Sequence, residues 1–299
     1  MKSATRKTSK PPSRRTDLDT HRPILIAGAS GILGTDLSLR LPATFGGKQV
    51  ISLSRTQLDI ASWDSVRAVM RDLRPRVVLN AAAYTNVDGA ESDRETAYRV
   101  NVAGVENLAN LCDEVGARLV QFSTDQVFDG TGSRAWTEED QPNPLNHYAE
   151  TKLLGEEKAL RLANALVIRV QWLYGRKKDR FTLLRDREIF TPFSDQFGAP
   201  MYVWHLANWT VQLIEKDASG IFHVSYDDFA SWAEVYQFVI EVMGFKTRLV
   251  PKTSEEIPLP AKRPKFSVLS NQKVRTFLGQ PSLGSWKDAL NEFLLSRES

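Results

Sequence analysis

Pro23-Ile-Leu-Ile-Ala27, running into Gly28-Ala-Ser-Gly31-Ile-Leu-Gly34, decides how this chain is read. The first five residues are a short apolar run with the length and composition of a buried strand. The glycines permit a tight turn and a close backbone approach. Ile32, Leu33, Leu37, Leu39 and Leu41 then begin an amphipathic helix. Strand, glycine turn and helix in that order put a helix N-terminus, with its unpaired N–H groups and positive dipole end, where a pyrophosphate binds. The spacing is G-x-x-G-x-x-G rather than G-x-G-x-x-G. A turn that merely joins strand to helix looks the same locally, so the surroundings must decide.

The rhythm continues downstream. Gln49–Leu53 reads as a second strand, ending in Ser54-Arg55 about twenty residues beyond the loop, where an acidic residue would bond the ribose 2′-hydroxyl of NAD. Ser54 and Arg55 suit a 2′-phosphate instead, which favours NADP(H) and leaves NAD(H) open. Ser62 is placed to cap a helix reaching Leu73, and Val77–Asn80 is a third strand. The small residues Ala81, Ala82 and Ala83 after it let a ligand approach the backbone. A helix is expected from about Arg94 to Val115, stopped by Gly116. Strands over Ala117–Phe122 and Leu166–Val170 flank a helix over Leu145–Leu162. This alternation predicts an α/β fold, a Rossmann-type doubly wound parallel sheet with ligands at the carboxyl ends of its strands. Beyond Val170 the pattern is irregular, with helical periodicity near 204–215, 231–243, 270–278 and 285–295. We read 1–22 as a disordered basic tail, 23–170 as an NAD(P)-binding Rossmann domain, and 171–299 as mainly a smaller substrate-binding lobe, with interleaved boundaries.

Composition narrows the classes further. The chain has 299 residues, 42% of them hydrophobic, enough for a large core. No apolar run is long enough to span a membrane. The net charge of +3 comes from the first 23 residues, which hold seven Lys/Arg against Asp17 and Asp19. The remaining 32 basic and 34 acidic residues make no polyanion-binding surface, which argues against a nucleic-acid partner. The tail has no apolar segment for secretion, and one cysteine, Cys112, forms no internal disulfide; both fit a cytoplasmic protein. Cys112 falls on an apolar helix face, as a small buried hydrophobe would. The four histidines, at 21, 147, 205 and 223, lack metal-ligand spacing, and no metal is assigned.

Tyr148 and Lys152 lie four apart and share a helix face. An ammonium beside a phenol favours the phenolate and draws a pKa of about 10 towards neutrality. Thr124, at the end of the preceding strand, can hold the same substrate oxygen while Tyr148 gives or takes a proton. Taken alone the pair reads better as an exposed i,i+4 contact. Behind a dinucleotide loop it reads as carbonyl chemistry.

These stretches resemble the extended short-chain dehydrogenase/reductases, and within them the dTDP-4-dehydrorhamnose reductase family. The resemblance runs from Ile24 to about Leu295. It rests on Gly28–Gly34, Leu58–Ile60, Asn80–Glu91, Ser123-Thr-Asp-Gln-Val-Phe-Asp-Gly130 and Tyr148 with Lys152. Trp172–Gly175, Asp195–Pro200 and Arg263–Leu269 extend it. It implies NADP(H)-dependent reduction of a nucleotide-linked 4-keto-6-deoxy sugar, foremost dTDP-4-dehydrorhamnose to dTDP-L-rhamnose, for a cell-surface polysaccharide. Tyr148 would protonate the C4 oxygen, Lys152 would hold the nicotinamide ribose and tune Tyr148, and Thr124 would polarise the carbonyl. Gly28, Gly31, Ile32, Leu33 and Gly34 would form the pyrophosphate loop. Asp59 and Ile60 would meet the adenine, and Ala82, Ala83 and Tyr84 the nicotinamide side. Asp125 and Trp172 would touch the dTDP-sugar, and Asn101 would give support.

The chain also departs from the family pattern. Gln126 stands where an aromatic residue is common, Met201 stands where Thr is usual, and the segment between Gly175 and Asp195 is about five residues short. That segment is crowded with Arg176, Lys177, Lys178, Arg180, Arg185 and Arg187, a diphosphate lid or a solvated charge run in equal measure. A homodimer is compatible with the family. Two other readings stay open: a non-catalytic dinucleotide-binding subunit resembling the methionine adenosyltransferase beta subunit, and a reductase or epimerase of another nucleotide sugar.

Overall fold

The computed structural model describes residues 21–177 and 179–296; Lys178 and the tail through Thr20 lie outside them. Arg22, assigned by sequence to the tail, is fixed instead: its guanidinium donates to the carbonyls of Arg74, Pro75 and Val115.

Five short strands follow the expected rhythm: β1 (Ile24–Ala27), β2 (Val50–Leu53), β3 (Val77–Asn80), β4 (Arg118–Thr124) and β5 (Leu166–Val170). Every residue of β1 is 0% exposed. A strand buried on both faces needs helices on both sides. Alternating side chains divide its residues accordingly. Ile24 and Ile26 pack with Leu33, Leu37 and Leu41 of α1 (Ile32–Phe45). Leu25 and Ala27 pack with Val66 and Met70 of α2 (Trp63–Leu73) and with the helix Gly104–Val115. Ser62 caps α2, accepting from the Ser65 N–H at 3.3 Å, and Gly116 ends the later helix in the left-handed conformation. Cys112 is fully buried on that helix, and burial pushes its thiol up to about 12, so it packs rather than reacts.

All pairings in the central sheet are parallel. The sixth strand, Gly220–His223, lies at the edge beside β5, and the order runs on through β4, β3 and β1 to β2. The chain leaves β1 in one direction to β2 and returns on the other side to β3. The order therefore reverses between β1 and β3, where an open α/β sheet binds ligands at its carboxyl end.

The edge strand was not expected. It comes from the C-terminal part of the chain, whose helix Val203–Glu215 also packs on the α1 side of the sheet. Arg118 anchors it, its buried guanidinium donating to the carbonyl of Ala218 just before it. The expected helix over 94–115 is likewise broken into Arg94–Tyr98, a π-helical turn Arg99–Ala103, and Gly104–Val115. Such turns often mark sites where a side chain must be re-aimed.

His223, at the end of the edge strand, is fully buried, with Nδ1 3.1 Å from the Trp136 carbonyl and Nε2 3.3 Å from the Arg169 guanidinium. Burial, reinforced by Arg169, holds its pKa down to about 3. The folded state thus refuses a proton that the unfolded chain takes up below about 6.5. Stability from this residue is full above that value and is lost as pH falls towards 3. Urea unfolding should show His223→Gln losing less stability than the wild type between pH 7 and 5, by about 2 kcal/mol. Equal losses would refute this assignment.

Candidate active site

The register pairs Ala27 with Asn80, so the loops after β1 and β3 leave the sheet side by side. Gly28 has φ +77°, and a Cβ there would lie 2.6 Å from the Ala82 nitrogen. Only glycine lets the two loops close on one another. The Asn80 side chain fixes the second loop, accepting from the Ala82 N–H at 3.2 Å and donating to Gln121 at 2.8 Å. A cavity of about 370 Å³ opens above them.

Of the residues expected to hold a dinucleotide, Gly28, Gly31, Asp59 and Ile60 line this cavity, with Ala82, Ala83 and Tyr84 on the opposite wall. Exposed Arg55 stands at its edge. Five others do not line it: Tyr148 and Lys152, described below, and three residues near the glycine turn. Leu33 is buried in the core under β1, Gly34 is buried at the start of α1, and the Ile32 side chain faces a neighbouring cavity. Ser30, Thr85 and Asn86 line the first cavity and were not anticipated, although Thr85 and Asn86 directly follow Tyr84.

The π-helical turn explains the far wall. Asn101 Oδ1 accepts from the Tyr84 N–H at 2.9 Å, while its Nδ2 donates to the Tyr84 carbonyl and to Thr151 Oγ1, each at 3.1 Å. One side chain thus pins the cavity wall to the helix His147–Ala159. Gly155 of that helix lies so close that an added Cβ would sit 2.4 Å from the Asn101 carbonyl oxygen. Asn146 caps the helix, accepting from the Ala149 N–H at 2.8 Å, which sets Tyr148 in the first turn.

Tyr148, Thr124, Asp125 and Trp172, the remaining expected substrate groups, line a second cavity of about 440 Å³. Thr85 lines both, so the two adjoin. Burial raises the Tyr148 pKa above its ordinary value; the Asp125 carboxylate adds to this and the Thr124 hydroxyl opposes it. Spacing had predicted the reverse, a phenol acidified by Lys152. The reason is desolvation: Lys152 is itself buried, donates to the Phe122 carbonyl at 2.6 Å, and has its pKa lowered to about 8. Tyr148 is therefore a neutral phenol near pH 7. Lys152 lines neither cavity.

Thr124 also differs from expectation. Its one hydroxyl proton goes to Asp125 Oδ1 at 3.0 Å, and its oxygen accepts from the Gln126 N–H at 3.2 Å. Thr124 can polarise a substrate oxygen only by releasing Asp125. That carboxyl also accepts from Ser267, and burial pushes it up to about 6.

Trp172 adopts φ +39° and stacks on Trp232 with centroids 3.9 Å apart and planes 12° from parallel. A non-glycine residue at positive φ is strained, as residues held for a ligand often are. Among the described residues no group of three or more His, Cys, Asp or Glu side chains could hold a metal, and no helix is long and apolar enough to cross a membrane.

Known proteins share this sequence and fold over most of their length. A spore coat polysaccharide biosynthesis protein of Bacillus subtilis is 34% identical over 282 residues, covering 92% of this chain and 98% of its own. The solved dTDP-4-dehydrorhamnose reductase of Clostridium acetobutylicum superposes with a TM-score of 0.88 at 34% identity, covering 93% of this chain and all of its own. The Bacillus anthracis dTDP-4-dehydrorhamnose reductase, solved in complex with NADP, gives 0.86 at 32% identity, covering 92% and 99%. The family described as the RmlD substrate binding domain matches residues 22–298, and this chain belongs to that family.

Proposed function

We propose that the chain is an NADP(H)-dependent reductase of a nucleotide-linked 4-keto-6-deoxy sugar, with dTDP-4-dehydrorhamnose as substrate and dTDP-L-rhamnose as product. The observation that carries this is the adjacency of the two cavities, with a protonated, buried Tyr148 lining the second. Relatives named as dTDP-4-dehydrorhamnose reductases, one of them solved with NADP, support it. The first cavity fits a dinucleotide because the two loops approach too closely for any Cβ at Gly28, and Gly31, the N-cap of α1, lines it, which brings a helix N-terminus to where a pyrophosphate would lie. Bound there, the nicotinamide supplies the hydride.

The chain's own residues do the rest. Tyr148 passes its phenolic proton to the C4 oxygen as negative charge develops on it. Lys152, one helical turn along and still largely protonated at neutral pH, favours the phenolate that results. Asn101 keeps Tyr84 and the Tyr148 helix in register, holding the two cavities at a fixed separation. The reading puts the chain in the cytoplasm, where NADPH and nucleotide sugars are made, in the service of a surface polysaccharide.

Arg55 supports NADPH over NADH, since a guanidinium at the end of β2 suits a 2′-phosphate. Arg55→Ala should raise the KM for NADPH about tenfold and leave that for NADH unchanged. Equal effects on both cofactors would remove Arg55 from that role. The function as a whole is tested by incubating the protein with NADPH and dTDP-4-dehydrorhamnose. Oxidation that depends on the sugar is expected, and none with any nucleotide 4-ketosugar would sink the reading.

A further inference from the structure

Three charged side chains line the second cavity: Asp125, Arg180 and Arg263. Two are already satisfied from within the chain. Asp125 is held by Thr124 and Ser267, and Arg263 is clamped by Asp88 through bonds of 2.6 and 2.8 Å. Arg180 differs. It sits 4.9 Å from the centre of the Trp232 ring, and no carboxylate among the described residues pairs with it.

A partly buried guanidinium without a counter-charge is costly unless something else supplies one. Seating it on an indole face stabilises the cation through the ring quadrupole and leaves its edge N–H donors free. Those donors form a rigid fork that matches two phosphate oxygens. Of the other cations in this shortened segment, Arg176 lies over Trp204 and Arg187 over Phe190, and neither lines the cavity. Arg180 lines the Tyr148 cavity but not the Gly28 cavity, so the dinucleotide's own pyrophosphate is not its partner.

We propose that Arg180 is the diphosphate-recognition residue of the substrate cavity and sets its selectivity for nucleoside diphosphate sugars. This rests on the reductase reading for the sugar but not for the anion. Tyr148 and Arg180 line one cavity, so a sugar with its carbonyl at Tyr148 keeps its diphosphate in the same space as the guanidinium. The stacked pair Trp172–Trp232 gives that cavity an apolar surface.

Calorimetric titration of the NADP⁺-saturated protein tests it, with dTDP, inorganic pyrophosphate and thymidine as probes and with Arg180→Met and Arg180→Lys beside the wild type. Arg180→Met should weaken dTDP and pyrophosphate binding roughly 30- to 100-fold and leave thymidine and NADP⁺ affinities unchanged. Arg180→Lys should recover part of the loss, because it restores charge without the fork. In turnover, Arg180→Met should raise KM for the ketosugar with kcat nearly constant. Unchanged dTDP affinity in Arg180→Met, or an equal loss for thymidine, would overturn the proposal, the latter by showing a packing role. Arg180-dependent dTDP binding without ketosugar reduction would keep this site and discard the reductase reading. Turnover with an unaltered KM in Arg180→Met would do the opposite.

Discussion

Tyr148→Phe is expected to lower kcat for ketosugar reduction by about 10²- to 10⁴-fold, the typical worth of a positioned general acid, and to leave NADPH affinity within about twofold. The ring itself is structural: it packs with Ala90 and Ala97, beside Tyr84 and Val87, and Phe keeps that packing. What is lost is the phenolic proton. Because burial raises the Tyr148 pKa, the wild-type residue stays protonated well beyond neutral pH, and its ionisation does not limit the rate there. Lys152 is the group proposed to limit it: burial lowers its pKa to about 8, so its cation is present below that pH and disappears above it. The kcat profile should therefore fall above about pH 8, and Tyr148→Phe should flatten it. A Tyr148→Phe enzyme with full activity would remove the proton donor from the account.

Gly28→Ala is expected to be the most damaging single-methyl change in the dinucleotide cavity. The position has φ +77°, and its new Cβ would meet the Ala82 nitrogen at 2.6 Å, the Ala82 Cα at 2.7 Å and the Ala81 carbonyl carbon at 2.8 Å. All three are backbone atoms of the neighbouring strand end, so no side chain can rotate away. Left-handed strain and overpacking together cost about 2–6 kcal/mol. The separation of β1 from β3 then opens the crevice, and NADPH affinity should fall more than about tenfold. Gly46→Ala separates the two causes. Gly46 has φ +87° with nothing within 4 Å, so it keeps the strain without the clash. That variant should lose about 1–2 kcal/mol in urea unfolding and keep its NADPH affinity. Equal behaviour of the two variants would show that close approach at Gly28 is unimportant.

The parts of this molecule legible in the sequence are those fixed by local chemistry. The strand-to-glycine passage at Ile24–Gly34, the Ser62 cap and the Gly116 stop depend on neighbours a few residues away, and the structure has each of them. Four-residue spacing likewise puts Tyr148 and Lys152 on one helix. Spacing says nothing about depth, however, and depth reverses the electrostatics: burial raises the Tyr148 pKa, with Asp125 adding to it, and lowers that of Lys152 against the pull of Glu156. The edge strand Gly220–His223 was missed because four residues carry little periodic signal, and its anchor, Arg118, is about a hundred residues away. The π-helical turn was missed for a similar reason. Spacing alone leaves Asn101 an ordinary helical residue; only the family resemblance gave it a supporting role, and the structure gives that role its partners, Tyr84 and Thr151. Arg180 is one cation in a run of them, and only folding singles it out by setting it against Trp232.

Hydride delivery to a sugar carbon with Tyr148 as proton donor is tested with NADPH carrying deuterium at its transferable position, dTDP-4-dehydrorhamnose as acceptor and product analysis by NMR. One deuterium on C4 of the product deoxysugar and one cofactor oxidised per sugar reduced are expected, and neither in Tyr148→Phe. An altered sugar without net cofactor oxidation would indicate an epimerase. Bound cofactor with an unaltered sugar, and a partner enzyme that co-purifies in stoichiometric amount, would rule out the reductase and favour a regulatory subunit.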